Sequence, residues 1–211
     1  MKAVFFGDSI CVGQYVSPHL TWVARCAARV AEELGDGVLV VNSSVNGDTT
    51  RLALERMPAD VQGYEPDLVV VQFGLNDCNR WETDRGAPRV SPAAFEANLG
   101  EIVDRAARFG AREVLLHTNH PTLRLAPHPV WGGAYEDGNR AYNEIVRRVA
   151  ERREGVTLVD LDAAVHERVA AGEALERLLL PDGLHLAEAG HVVYADIVEP
   201  PLLAALRRLA E

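Results

Sequence analysis

The run Leu68-Val69-Val70-Val71 is apolar without interruption. A strand with one wet face alternates apolar and polar residues, so an unbroken β-branched run implies a strand covered on both faces. Parallel sheets between two helix layers provide that cover. Four other short runs share the character: Ala3 to Phe6, Val38 to Val41, Glu113 to Thr118 and Val156 to Val159. With Asp67 to Phe73 around the first run, they predict five strands.

Amphipathic segments fill the spaces between. Ser17-Pro18 offers an N-cap followed by proline in the first turn, and a helix is expected from Pro18 to Leu34, stopped by Gly35. Leu20, Val23, Ala27, Val30, Ala31 and Leu34 would share its buried face. Ser91-Pro92 opens a second helix, with Phe95, Leu99, Ile102, Val103 and Ala106 at helical spacing and Gly110 closing it. A third runs roughly from Asn139 to Arg152. The last begins near Ala187 and should end before Pro200-Pro201, with a short helical tail to Leu209. This βαβα order predicts an α/β fold with a parallel sheet, formed as a single domain over residues 1–211. Two connections, about 76–91 and 119–138, leave the carboxyl ends of strands three and four. Parallel sheets place their ligands there.

Net charge is −10. An acidic surface repels phosphate backbones and anionic lipid, which argues against nucleic-acid binding and adhesion to membranes. Small uncharged or cationic substrates meet no such barrier, whereas an anionic one needs a local basic pocket. No stretch approaches the roughly 20 apolar residues of a membrane span. The N-terminal apolar run is too short for a secretory leader. Three cysteines, Cys11, Cys26 and Cys78, form no metal-site spacing and read as free thiols, so a cytoplasmic setting is expected. Nothing in the composition sets an oligomeric state.

Four segments carry chemistry: Gly7-Asp8-Ser9, Asn46-Gly47-Asp48, Gly74-Leu75-Asn76-Asp77 and Asp182-Gly183-Leu184-His185. The first three follow strands, so a parallel sheet brings them to one edge. A serine hydroxyl attacks only when a base takes its proton. His185 can be that base, and Asp182, three residues earlier across a glycine, can hold one ring nitrogen and leave the other for Ser9. The oxyanion so formed needs donors: the Ser9 N–H, the Gly47 N–H and the Asn76 amide are candidates. Each has a plainer reading. Ser9 could cap a helix, Asn46-Gly47 could simply turn the chain, and Asn76 could be an ordinary loop residue. Asp77 is read as a brace for its loop.

These blocks resemble the SGNH hydrolases, also called GDSL esterases and lipases. Gly7-Asp8-Ser9-Ile10 is similar to the first block, with isoleucine where leucine is usual. Gly47, Gly74-Leu75-Asn76-Asp77 and Asp182-Gly183-Leu184-His185-Leu186 match the others, in order and across nearly the whole chain. The resemblance implies a flavodoxin-like three-layer α/β/α sandwich with strand order 2-1-3-4-5. It also implies an acyl-enzyme mechanism with catalytic Ser9, His185 and Asp182, and no metal or cofactor. It leaves the substrate open.

The expected reaction is hydrolysis of a small-molecule carboxylic ester with a short acyl group, acetyl on a sugar or metabolite foremost. Acyl transfer or thioester cleavage would use the same three residues. A non-catalytic flavodoxin-like binding module would have no reason to retain all three. Gly-x-Gly-x-x-Gly and Walker-type loops are absent, which argues against a nucleotide or flavin binder. His117, His120 and His128 have no spacing that suits a metal. His191 has no aspartate three residues before it, and Cys11 has no basic neighbour in sequence to make it reactive. Trp81, Arg124, Trp131 and Tyr135 lie in the two long connections. They either line the substrate site, stacking a sugar or holding an anionic group, or pack a lid on itself.

Overall fold

Strand β1 (Lys2–Gly7) sits inside a five-stranded parallel sheet, between β2 (Leu39–Asn42) and β3 (Leu68–Gln72), with β4 (Glu113–His117) and β5 (Val156–Val159) continuing beyond β3. The order is therefore β2-β1-β3-β4-β5, in a computed structural model that describes residues 1–211. Ala3 pairs with Leu68 and Gly7 with Gln72. Successive side chains of a strand leave opposite faces. Phe5, Val70 and Leu115 accordingly join one core with α2 (Trp22–Leu34) and α9 (Glu188–Ala210). Phe6, Val71 and Leu116 join the other with α3 (Thr50–Asp60), α5 (Pro92–Arg108) and α6 (Tyr135–Glu151). Helix α7 (Leu161–Ala170) and the single turn α8 (Leu175–Leu178) lean on α9 through Val165, Leu178 and Val193. No helix is long and apolar enough to cross a membrane.

Several expected boundaries move. The Ser17 side chain caps nothing; Pro18–Leu20 forms a separate 3-10 turn, and Thr21 caps α2 by accepting from the Ala24 N–H. That places Trp22 and Cys26 on the buried face and leaves Ala31 exposed. Trp22 packs edge-on against Phe5 and donates its ring N–H to the Ile10 carbonyl at 2.8 Å. The third helix starts at Tyr135 rather than Asn139, because the Asp137 side chain accepts from the Ala134 N–H and closes its first turn. Helix α9 runs through Pro200 and Pro201 instead of stopping before them. Val198, Leu202, Leu203, Leu206 and Leu209 continue one buried stripe across the prolines, and tertiary packing outweighs the lost hydrogen bonds. One carbonyl freed by Pro200 belongs to Asp196, which is exposed and can be hydrated.

Helices α3 and α7 escape the apolar pattern altogether. The buried residues of α3 are Thr50, Ala53 and Met57, and those of α7 are Leu161, Asp162 and Val165. Spacing of three and four is present, but small and polar residues occupy part of it.

His117 closes β4, fully buried beside the Trp22 ring, and neither of its ring nitrogens has a partner. Burial pushes its pKa down to about 3. The unfolded chain takes up this proton near pH 6.5. The neutral ring therefore contributes stability that is full above about 6.5 and is lost as pH falls toward the folded value. Replacing His117 by Phe removes the titration. In urea denaturation, the stability lost between pH 7 and pH 4 should be smaller for His117→Phe than for the wild type; equal losses would contradict the burial argument.

Candidate active site

The strand order reverses on the two sides of β1, which opens a crevice at the carboxyl ends of β1 and β3. Ser9 stands at that crevice as the first residue of a one-turn helix, α1 (Ser9–Val12). Asp8 caps it, its carboxylate accepting from the Ile10 N–H at 3.0 Å. Ser9 is buried, and its Oγ lies 3.0 Å from His185 Nε2. His185 Nδ1 lies 2.5 Å from Asp182 Oδ2. The other Asp182 oxygen accepts from the Leu184 and His185 N–H groups, both at 3.0 Å. Burial works to raise the Asp182 pKa, but its hydrogen bonds from His185 and from the two N–H groups outweigh burial and hold it below the usual range. The carboxylate therefore stays ionised and fixes the proton of the imidazole on Nδ1, leaving Nε2 as an acceptor for the serine proton.

The turn that makes this possible depends on Gly183, at φ +68°. A Cβ there would also lie 3.0 Å from the Leu123 Cβ. Chain pairing holds the turn from both sides: Leu123 N–H donates to the Gly183 carbonyl, and Leu180 N–H to the His185 carbonyl. The Tyr15 ring meets the His185 ring edge-on at 5.3 Å. Tyr15 is exposed, and its φ of +73° is a strained conformation for a bulky residue.

Gly47 follows β2 at φ +79°, exposed, with open space where a side chain would be. Asn76 lies in the single turn α4 (Leu75–Cys78) after β3. Its amide donates to Asp8 Oδ2 at 3.1 Å. Burial above all pushes the Asp8 carboxyl up to about 7, against the Ile10 hydrogen bond. Asp77, beside it, accepts from both the N–H and the hydroxyl of Thr50, so it braces the loop to α3 as expected.

Two arginines tie these turns together, and neither was apparent from the motifs. Arg89 donates to the Gly47 carbonyl at 3.0 Å and to Asn76 Oδ1 at 3.4 Å. Arg56 pairs with Asp48 and donates to the Ser43 and Gly7 carbonyls. Its guanidinium also lies over the Phe6 ring. The sequence signal was only a lone arginine in each case, 42 residues from Gly47 and 49 from Gly7.

The four residues of the long connections divide. Arg124, Trp131 and Tyr135 line one cavity of about 290 Å³. Trp81 does not; it lies under Arg89 and faces a groove beside α3. Tyr135 is the first residue of α6, not a loop residue, and its hydroxyl donates to the Leu75 carbonyl. Arg124 Nε donates to the Asp182 carbonyl at 3.0 Å. Of the remaining histidines, His191 Nδ1 accepts from the Trp22 N–H and His120 bonds Tyr194 and the Leu184 carbonyl, so both are built into the packing. Cys11 is buried against Gln72, and burial raises its thiol pKa well above the ordinary range.

Such a serine–imidazole–carboxylate chain, with free N–H groups nearby, is equipped to attack an acyl carbonyl and hold the resulting oxyanion. Comparison with known proteins finds relatives among acylhydrolases. The model of the GDSL-like lipase/acylhydrolase family matches residues 5–193. Esterase TesA of Pseudomonas aeruginosa is 29% identical over 196 residues, which cover 93% of this chain and 85% of TesA. An acetylxylan esterase of Geobacillus stearothermophilus is 26% identical over 212 residues, covering 92% of this chain and 90% of that enzyme. Among solved structures, LAE5, an α/β hydrolase from the metagenome of Lake Arreo, Spain, superposes with a TM-score of 0.76 at 30% identity, over 99% of this chain and 95% of LAE5.

Gly183→Ala should destabilise the protein by about 1–2 kcal/mol, because an L side chain is strained at positive φ. It should also lower turnover by disturbing both Asp182 and His185. Urea denaturation and ester hydrolysis check the two effects; an unchanged urea midpoint would contradict the strain.

Proposed function

The chain belongs to the GDSL-like lipase/acylhydrolase family and is a carboxylic ester hydrolase; from that premise we propose that Ser9, His185 and Asp182 are its catalytic triad and that the reaction passes through an acyl-enzyme on Ser9. The observation that carries the reading is the continuous chain from Ser9 Oγ through the His185 ring to Asp182, at 3.0 and 2.5 Å. His185 Nε2 takes the serine proton as Oγ bonds to the carbonyl carbon. The charge that moves onto the carbonyl oxygen is met by the Ser9 N–H, the Gly47 N–H and the Asn76 amide. Neither of those backbone N–H groups has an acceptor within the protein. His185 then gives its proton to the departing alcohol. Water, deprotonated by the same nitrogen, releases the acid and restores Ser9.

The acyl group in this proposal is short, acetyl foremost, and the alcohol is a sugar or small metabolite. The hydrogen-bonded groups beside Ser9 are polar: Asp8 accepts from Asn76, and Arg89 joins Asn76 to the Gly47 carbonyl. The cavity alongside is lined by arginines, a histidine and aromatic rings rather than by an aliphatic tunnel. Similarity to an acetylxylan esterase supports the same choice.

Hydrolysis of 4-nitrophenyl acetate, butyrate and octanoate tests the reading. The wild type should prefer acetate, and folded Ser9→Ala should lose turnover. Asn76→Ala should cost about 10²–10³ in kcat, the usual effect of deleting one oxyanion donor. Asp182→Asn should keep the fold and lower kcat severely, toward the roughly 10⁴-fold seen for that exchange in serine proteases. Full activity in Ser9→Ala would remove it as nucleophile. Folded His185→Ala should lose turnover as Ser9→Ala does, since no other group within reach of Ser9 Oγ would take its proton; full activity in that variant would remove His185 as base.

A further inference from the structure

The cavity between the two long connections is basic in an acidic protein. Arg80, Arg124 and His128 line it together with Asn79, Trp131 and Tyr135, and no aspartate or glutamate does. Net charge over the whole chain is −10. Most arginines here are paired: Arg56, Arg147 and Arg207, for example, each reach a carboxylate within 2.9 Å. Arg80 reaches none. Its guanidinium lies 4.2 Å above the centre of the Trp131 ring and donates to the Gly86 carbonyl, while its buried Nε–H has no acceptor. Arg124 stacks on Tyr135 at 5.3 Å and gives its Nε–H to the Asp182 carbonyl. The nearest carboxylate is that of Asp182, at 3.9 Å from Nη2, and it is already committed to His185. His128 Nδ1 accepts from the Val130 and Trp131 N–H groups, which puts the proton of a neutral ring on Nε2 and makes that atom a donor.

Stacking on aromatic rings holds both guanidinium planes without using up their charge. Two fixed cations and a ring donor, with no counter-charge in the lining, match an oxyanion. The position is also suggestive. Arg124 touches the turn that carries Asp182, and Tyr135 holds the Leu75 carbonyl, one residue from Asn76. The cavity therefore adjoins the reacting groups.

We propose that this cavity binds an anionic group, a carboxylate or a phosphate monoester, carried by the ester that Ser9 cleaves. The proposal rests on the triad reading above and narrows its substrate class. An acidic surface by itself would disfavour such an ester, so a preference for one would have to arise locally.

Matched esters test it. Anion on the alcohol side is probed by 4-acetoxybenzoate and 4-acetoxyphenyl phosphate against neutral 4-acetoxybenzamide. Anion on the acyl side is probed by mono-4-nitrophenyl adipate against 4-nitrophenyl hexanoate. In at least one pair the charged ester should have the higher kcat/KM by about tenfold, the scale of one charge-assisted hydrogen bond. The benzoate and phosphate arms identify which anion is preferred. Arg80→Gln should bring the charged-to-neutral ratio down toward that of an unaided site, and Arg124→Gln is the second variant if the first does not fold. No preference in any pair, or a preference unchanged by the substitution, would overturn the proposal. Calorimetry of 4-hydroxybenzoate and inorganic phosphate with the wild type decides the matter apart from turnover: saturable binding weakened by Arg80→Gln supports the cavity, and no binding overturns it. If neutral esters turn over and charged ones gain nothing, the cavity proposal fails and the triad stands. If no ester turns over, the triad reading is the one in trouble, and calorimetry still decides the cavity.

Discussion

Parallel pairing of β1 with β2 on one side and β3 on the other decides where Ser9, Gly47 and Asn76 lie. Because the three strands share a direction, the segments that leave them emerge on one edge. Ser9, Gly47 and Asn76 are then neighbours although they lie far apart in the chain. The pairing in turn depends on two apolar faces. Phe5 and Phe6 leave β1 in opposite directions, and each is fully buried in its own core. Only the last turn, which bears Asp182 and His185, comes from outside the sheet. It is anchored by hydrogen bonds from Leu123 and to Leu180 and by the start of α9.

Around that edge the protein places charges where water is scarce. Asp8 and Asp77 are both buried, and burial is the largest cause raising their pKa values, to about 7 and about 6. Each is compensated by donors: Ile10 and Asn76 for Asp8, Thr50 for Asp77. The result is a hydrogen-bonded frame of short loops. Arg56 and Arg89 complete it by holding the carbonyls of Gly7, Ser43 and Gly47. The Ser9 and Gly47 N–H groups have no backbone acceptor, and the proposed mechanism directs them at the oxyanion.

Sequence disclosed the parts whose pattern is local. Val69 to Val71 announced a doubly covered strand, and Asp182 to His185 announced a carboxylate and an imidazole on one tight turn. Five strands and their order followed from the alternation and the family resemblance. Parts that depend on tertiary packing stayed hidden. Helix α3 buries Thr50 and Ala53, which no apolar pattern marks. Pro200 and Pro201 read as a stop, yet α9 continues because Leu202 and Leu206 are needed in the core. Thr21 rather than Ser17 caps α2, a choice made by where Trp22 must sit. Trp81 and Trp131 lie in the two connections and looked equivalent, but they face different surfaces. Arg124, Trp131 and Tyr135 were legible as residues of those connections, but Arg80, which stacks on Trp131 and completes the basic lining, follows no fixed spacing that would mark it.

The nucleophile is tested most directly by covalent trapping. Diethyl 4-nitrophenyl phosphate reacts with an activated serine and leaves a stable phosphoryl ester that peptide mass spectrometry can locate. One adduct on Ser9, formed rapidly in the wild type and at a greatly reduced rate in His185→Ala, is the expected result. Rapid labelling of a different residue, or equal labelling of Ser9→Ala, would contradict the assignment of the reaction to Ser9.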